Sequence, residues 1–383
     1  MAWSKFDSQM MARAIQLARK GQYTTRPNPN VGCVLVQGET LVGEGFHIAA
    51  GGPHAEVHAL RMAGDKAKGA TAYVTLEPCS HYGRTPPCAE GLIKAQVSRV
   101  VVAVTDPNPQ VSGRGIKMLE DAGIRVEVGL LQEEAAALNP GFMKRMRTGL
   151  PWVSIKLAAS LDGKTALSNG VSKWITGPEA RSDVQRMRAR FDAVVTGIET
   201  VLADDSSLNV RHGELGYLSE QLADADIRQP LRVVLDSRAR LGAKPKLFDT
   251  ESPVLLVSCQ PYPDEVVRAW PEQVSQLQLT SDNGRVSLKA LLEHLGGQVN
   301  SVMVEAGATL AGAFMAQGLA DELVLYQAPK ILGGHGRNLL ALPDYTEMAQ
   351  LPGLRLCDDR RIGADRRLTF QLSHNHLPSD KSS

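Results

Sequence analysis

Five cysteines in 383 residues, at positions 33, 79, 88, 259 and 357, are too few, odd in number and too unevenly placed for a disulfide framework. Their scarcity favours a reducing compartment, and a cytoplasmic protein is expected. Long apolar runs are missing as well. No stretch approaches about 18 consecutive apolar residues, which excludes a transmembrane helix. The N-terminus carries Asp7 and other polar residues without an unbroken apolar segment before a small-residue cleavage site, so no signal peptide is expected. Nor does charge of one sign dominate: 42 Lys and Arg stand against 41 Asp and Glu, for a net charge of +1. Such a chain has no global electrostatic reason to bind nucleic acid or an anionic membrane, and nothing signals a basic, aromatic-rich groove. What is present is an ordinary globular mixture, 43% hydrophobic and 22% charged. At roughly 150 residues per domain the length allows two domains or three.

Apolar spacing predicts a helix over residues 7–20 and strands over 31–36 and 41–46 about a turn at 37–40. A helix from near His54 to Gly64 follows, then a strand at 72–76, a helix at 89–95, a strand at 100–104, a helix at 115–122 and a strand at 124–128. This alternation predicts a three-layer α/β domain with a largely parallel core. Residues 139–151, with breakers at both ends and basic residues between, read as a linker. Strands at 152–157, 193–196, 231–235, 254–257, 301–304 and 323–326, with helices at 178–190 and 310–317, predict a second, larger α/β domain. The expected boundaries are 1–147 and 148–372, with a disordered tail at 373–383.

The sharpest local signal is His54-Ala55-Glu56, then Glu77-Pro78-Cys79 and Cys88. One imidazole and two thiolates make a three-ligand zinc site whose fourth position is open to water, the pattern of catalytic zinc. His54 and Cys88 stand where helices are expected to begin, and a helix N-terminus favours thiolate over thiol. Glu56 lies beside such a metal without being needed as a ligand, so it can carry a proton from water to a leaving group. A structural site would call for a fourth protein ligand, and none is obvious. Cys33 reads as a small apolar core residue. His58, one helical turn beyond His54, reads as solvent-facing or as a support near the metal.

These residues resemble the zinc-dependent nucleobase deaminases and their H-x-E…P-C-x-x-C signature. Eight residues, Ser80 to Pro87, separate the cysteines instead of two. That insert, with Pro27-Asn28-Pro29-Asn30-Val31-Gly32 and Asp106-Pro107-Asn108-Pro109, is similar to the deaminase half of the bifunctional riboflavin-biosynthesis deaminase-reductases. The resemblance implies that Asn28, His47, His81 and Arg84 surround a pyrimidine and its phosphate. Arg84 suits the phosphate, since a guanidinium fork engages two oxygens.

Generic nucleotide motifs fail in the second half. No G-x-G-x-x-G follows a strand, and Asp162-Gly163-Lys164-Thr165 lacks the earlier glycine of a P-loop, where Ala158 stands. The strand at 301–304 instead runs through Glu305-Ala306-Gly307-Ala308-Thr309-Leu310 into a helix whose free N–H groups suit a pyrophosphate. Residues 193–200 repeat the layout. Alone, both read as ordinary α/β turns, Arg188 as a solvated helix face and Trp174 as a core-edge aromatic.

Together, residues 156–164, 173–176, 200–211, 304–307 and 328–334 resemble the reductase half of the same family, with a dihydrofolate-reductase-like fold. Ser206 stands where the family commonly has proline. The resemblance, covering about residues 5–370, implies an N-terminal cytidine-deaminase-like domain binding one Zn2+ per chain and a C-terminal NADPH-dependent domain. It implies that Ala158, Trp174, Thr200, Asp204, Ser237, Gly307, Ala308 and Thr309 contact NADPH. Ser172, Arg188, Leu208, Arg211 and Glu305 would hold the ribose phosphate and pyrimidine, and Lys156 would polarise or protonate the reacting sugar. The implied reactions are hydrolytic deamination of 2,5-diamino-6-ribosylamino-4(3H)-pyrimidinone 5′-phosphate, then reduction of its ribosyl group to ribityl. The partner is then a small phosphorylated pyrimidine, with no nucleic acid or membrane, and homo-oligomerisation stays open. A deaminase of another base with a nucleotide-binding second domain is the alternative enzyme. A zinc-stabilised nucleotide sensor is the non-enzymatic one, against which Glu56 speaks.

Overall fold

A computed structural model describes residues 3–82, 86–109 and 111–373, in two compact units divided between Leu150 and Pro151. The first unit runs α1 (Lys5–Arg19), β1 (Gly32–Gln37), β2 (Thr40–Phe46), α2 (Ala55–Ala63), β3 (Thr71–Val74), α3 (Cys88–Lys94), β4 (Arg99–Val102), α4 (Arg114–Asp121), β5 (Arg125–Val128), α5 (Gln132–Ala136) and α6 (Pro140–Thr148). The sheet order is β2-β1-β3-β4-β5. Only β3, β4 and β5 are parallel, because β1 pairs antiparallel with both neighbours. The expected largely parallel core is therefore corrected to a mixed sheet. The β1–β2 turn is too short for the crossover that parallel neighbours require.

Strand alternation builds the layers. Cys33 and Leu35 face Ala55, Ala59 and Leu92 of α2 and α3, while Val34 and Val36 face Met11, Ala14 and Ile15 of α1. Ser4 caps α1 reciprocally: its hydroxyl accepts from Asp7 N–H at 2.9 Å, and the Asp7 carboxylate accepts from Ser4 N–H at 3.0 Å. The segment expected as a linker is largely α6. Pro140 occupies its first turn and Gly149, at φ 74°, caps its end, so the two breakers are helix start and stop signals.

The second unit runs β6 (Trp152–Ser160), β7 (Lys164–Ala166), α7 (Pro178–Arg190), β8 (Ala193–Gly197), α8 (Ile198–Asp204), β9 (Leu231–Leu235), β10 (Val254–Ser258), α9 (Asp264–Arg268), β11 (Val274–Gln278), β12 (Ser281–Asp282), β13 (Arg285–Val286), α10 (Leu288–Gly296), β14 (Ser301–Glu305), α11 (Ala308–Ala316), β15 (Glu322–Ala328), β16 (Arg337–Asn338), β17 (Gly353–Ile362) and β18 (Asp365–Ser373). Its main sheet has the order β11-β10-β9-β8-β14-β6-β15-β18-β17, parallel from β11 to β15 and closed by the antiparallel hairpin β17–β18. Val194, Val234, Leu256, Met303 and Val324 are fully buried at its centre, each burial favourable by roughly 1.5–3 kcal/mol. Because these strands are parallel, the C-terminal ends of β6, β14, β8 and β9 open on the same side, where open α/β sheets place ligands. The expected disordered tail is corrected at its start, since Ser373 closes β18; residues 374–383 lie outside the described residues. Among the described residues no helix is long and apolar enough to cross a membrane.

Candidate functional site

The first site forms where two helix starts and one loop meet. His54 is the N-cap of α2, Cys88 is the first residue of α3, and Cys79 lies in the loop after β3. One ligand atom from each lies within 4.8 Å of the others. His54 Nδ1 is 3.2 Å from Cys88 Sγ and 3.6 Å from Cys79 Sγ, and the Cys88 backbone N–H donates to Cys79 Sγ at 3.2 Å. Hydrogen bonds from Cys88, against the cost of burial, and from His54 hold the Cys79 thiol down at about 4. The Cys88 thiol is pushed up by its bond to Cys79, by burial and by the Glu56 charge. Two thiolates this close oppose each other, and a divalent cation between them removes the conflict. The donor set therefore fits Zn2+, with no fourth protein ligand in the cluster among the described residues.

Glu56, in the first turn of α2, is 3% exposed, and its Oε2 has no hydrogen-bond partner among the described residues. Burial, then the charge of Cys79, raises its carboxyl to about 6. Nearby, His47 lies 3.1 Å through Nδ1 from the Pro53 carbonyl and 3.3 Å through Nε2 from Asn28 Nδ2. Burial lowers its pKa, which favours a neutral ring with Nδ1–H donating and Nε2 accepting. Its ring meets that of His54 edge-on at 5.3 Å. His81 is exposed, and Arg84 lies outside the described residues. His58 Nε2 is buried without a hydrogen-bond partner among the described residues.

Sequence reasoning missed the residue that shapes the Cys79 loop. Glu77 Oε2 accepts from the N–H groups of Asp106 and Gly113 at 3.1 and 3.0 Å; Oε1 accepts from Gly115 and Ile116 at 2.9 and 3.3 Å. One buried carboxylate thus ties the loop to the start of α4. An acid just before Pro78-Cys79, following an apolar strand, was the available signal. Gly115 allows the approach, because a Cβ there would fall 2.0 Å from the Pro78 carbonyl oxygen.

The second site is a cleft of about 1910 Å³ at the C-terminal ends of the parallel strands. Lys156 and Ala158 line it from β6, Arg188 from α7, Thr200 and Asp204 from α8, and Glu305 from β14. Ser172, Trp174, Arg211 and Ser237 reach it from loops, and Gly307, Ala308 and Thr309 from the start of α11. Leu208 does not line it. At 2% exposure it joins the core with Met187, Val201 and Leu247, where an apolar side chain is better placed. Arg188 is not a solvated helix residue: it is 7% exposed, donates to Glu305 from Nε and NH2 at 2.9 and 3.0 Å, and gives NH1 to the Asn209 carbonyl. Lys156 Nζ lies 3.5 Å from Glu305 Oε1. Burial opposes ionisation of Glu305, but the charges of Arg188 and Lys156 prevail and hold its pKa at about 2. Trp174 is 64% exposed rather than at a core edge, and the guanidinium of Arg181, also unforeseen, stacks 4.5 Å from its ring centre.

Both halves match known families. Residues 4–104 match the cytidine and deoxycytidylate deaminase zinc-binding region, and residues 151–365 match the RibD C-terminal domain. The riboflavin biosynthesis protein RibD of Haemophilus influenzae is 52% identical over 97% of this chain and 98% of its own length. The chain belongs to the RibD family. The Escherichia coli RibD is 51% identical over 94% of this chain and 97% of its own. Among solved structures, Acinetobacter baumannii RibD superposes with a TM-score of 0.88 at 49% identity, over 96% of this chain and 99% of that one. A Thermotoga maritima diaminohydroxyphosphoribosylaminopyrimidine deaminase/5-amino-6-(5-phosphoribosylamino)uracil reductase does so at 0.83 and 32% identity, with the same coverage. As a RibD-family protein the chain is bifunctional in riboflavin biosynthesis. It joins a cytidine-deaminase-like zinc deaminase to a dihydrofolate-reductase-like NADPH reductase.

Proposed function

We propose that residues 1–147 deaminate 2,5-diamino-6-ribosylamino-4(3H)-pyrimidinone 5′-phosphate and that residues 148–372 then reduce the ribosyl group of the product to ribityl. The observation that carries the reading is the buried Oε2 of Glu56, without a hydrogen-bond partner among the described residues, beside the cluster of His54, Cys79 and Cys88. Zn2+ held by those three residues supplies Lewis-acid activation of water, lowering its pKa to about 7. Glu56 takes the proton released at Oε2 and returns it to the departing amino group. His47, placed between Asn28 and Pro53 and kept neutral by burial, and His81 form the polar wall for the base, with Arg84 for its phosphate.

In the second unit, bound NADPH supplies the hydride. The free N–H groups of Ala308 and Thr309, with Gly307 as N-cap, suit its pyrophosphate. Ala158, Trp174, Thr200, Asp204 and Ser237 complete the cofactor contacts. Glu305, kept ionised by Arg188, orients Lys156 toward the ribosyl oxygen. Ser172 and Arg211 take the substrate phosphate. Arg188, occupied by Glu305, serves chiefly as a positioning residue, and Leu208 acts only through the loop it anchors. The five free cysteines suit a cytoplasmic setting.

Glu56→Ala tests the separation of the two sites. The variant should retain zinc and release no ammonia, yet still oxidise NADPH when given the deaminated intermediate. Loss of both activities in a well-folded variant would refute two independent sites.

A further inference from the structure

The cleft crosses four adjacent strands, from Lys156 on β6 through Glu305 on β14 and Gly197 on β8 to Leu235 on β9. At about 4.8 Å per strand this is roughly 14 Å, enough to separate the two ends of an extended dinucleotide. With the reacting groups on β6 and β14 and the pyrophosphate at the start of α11, the adenosine end points toward β9. Beyond β9 come Ser237, Arg238 and Arg240, all on the cleft wall. Arg240 is already neutralised, by Glu199 and, at 3.8 Å, by Asp236. The side chain of Arg238 has no ion-pair partner among the described residues.

Its backbone, by contrast, is pinned. The Ser237 carbonyl accepts from Cys259 N–H at 3.2 Å, the Arg238 carbonyl accepts from Gln260 Nε2 at 2.6 Å, and Ala239 N–H donates to the Asp236 carbonyl at 2.9 Å. Ser237 Oγ accepts from Val286 N–H at 3.0 Å, leaving its own proton to donate. An anchored turn thus presents a free guanidinium and a hydroxyl donor to the far end of the cleft, an arrangement that suits a phosphate monoester.

We infer that Arg238, assisted by Ser237, binds the 2′-phosphate of NADPH and sets the preference for NADPH over NADH. This rests on the reading that the cleft takes the cofactor in the direction just given. The test uses the full-length protein and titrates 2′,5′-ADP and 5′-AMP by calorimetry, alongside kcat/KM for NADPH and NADH. Wild type should bind 2′,5′-ADP more tightly than 5′-AMP. In R238A that advantage, and the NADPH-to-NADH ratio of kcat/KM, should each fall by about 10- to 100-fold, the worth of a charge-assisted contact. R238K should keep part of both, because an ammonium replaces the charge but not the fork. R285A, which removes another cation of the cleft wall, should change the ratio less. R238Q repeats the test should R238A fail to fold. An unchanged ratio in the Arg238 variants, or a larger loss in R285A, would overturn the inference while leaving the cofactor site intact. A wild-type protein that binds neither 2′,5′-ADP nor NADPH would remove the cofactor reading itself.

Discussion

Arg188 and Glu305, 117 residues apart in the chain, meet in a two-point ion pair at 2.9 and 3.0 Å on the wall of the reductase cleft. Neither side chain is solvated enough to stand alone, and Lys156 completes the group at 3.5 Å. The pair holds a carboxylate ionised where burial would neutralise it, and through that charge it orients Lys156.

Replacing Arg188 by Met should therefore damage more than a contact. The buried carboxylate, left with Lys156 as its remaining partner, should cost the second unit on the order of 3 kcal/mol, toward the low end for a broken buried pair. Reduction should be lost while ammonia release persists. Thermal melting and the two separate assays measure this; a variant that reduces its substrate normally would dismiss the positioning role.

Acid should expose the same pair. The Glu305 pKa is held down at about 2, from an ordinary 4.5. A depressed carboxylate contributes stability in full above its unfolded value and loses it as pH falls through the folded value. The stability gap between wild type and Glu305→Gln should accordingly be constant above about pH 4.5 and shrink between 4.5 and 2. Urea midpoints at each pH supply the measurement, and a gap independent of pH would contradict the assignment.

Gly115→Ala should disable the deaminase without touching any proposed catalytic group. The new Cβ would strike the Pro78 carbonyl at 2.0 Å and push the loop bearing Glu77 and Cys79 away from the start of α4. Zinc content and ammonia release should both drop about tenfold or more, the scale of losing a group that orients a metal ligand. NADPH oxidation with the deaminated intermediate should stay at the wild-type rate. Full zinc occupancy in the variant would show that the loop yields.

Chelation is expected to act on one unit only. A ligand that binds the folded state alone stabilises it by about 4 kcal/mol at 1,000 times its Kd, so removing zinc should lower the melting of the first unit and abolish deamination. NADPH oxidation by the second unit should be unchanged, and re-addition of Zn2+ should restore the loss. A matching fall in reductase activity would indicate that the units depend on each other.

The metal centre was legible in the sequence because its chemistry is local. His54, Glu56, Cys79 and Cys88 carry their meaning in residue type and spacing, and helix starts at His54 and Cys88 follow from the apolar pattern around them. The strands of the mixed first sheet and of the parallel part of the second were legible for the same reason, as short β-branched runs bounded by breakers, β11 excepted. The terminal hairpin β17–β18 was not. Its outer strand is an exposed edge carrying Asp358, Asp359, Arg360 and Arg361, so it lacks the apolar alternation by which a strand is recognised. The breakers around α6 misled in the opposite sense, since proline and glycine bound helices as well as linkers.

By itself, then, the sequence singled out His54, Cys79 and Cys88 as a candidate metal site with Glu56 beside it, the order of most strands and helices, and two α/β halves of different size. Tertiary structure alone decided that Glu77 ties the Cys79 loop to α4, that Arg188 is occupied by Glu305, that Leu208 belongs to the core, and that Trp174 lies open beneath Arg181. The physical reason is distance along the chain. Periodicity and helix capping act over a few residues, whereas the partner of a buried charge is whatever the packed sheet brings beside it.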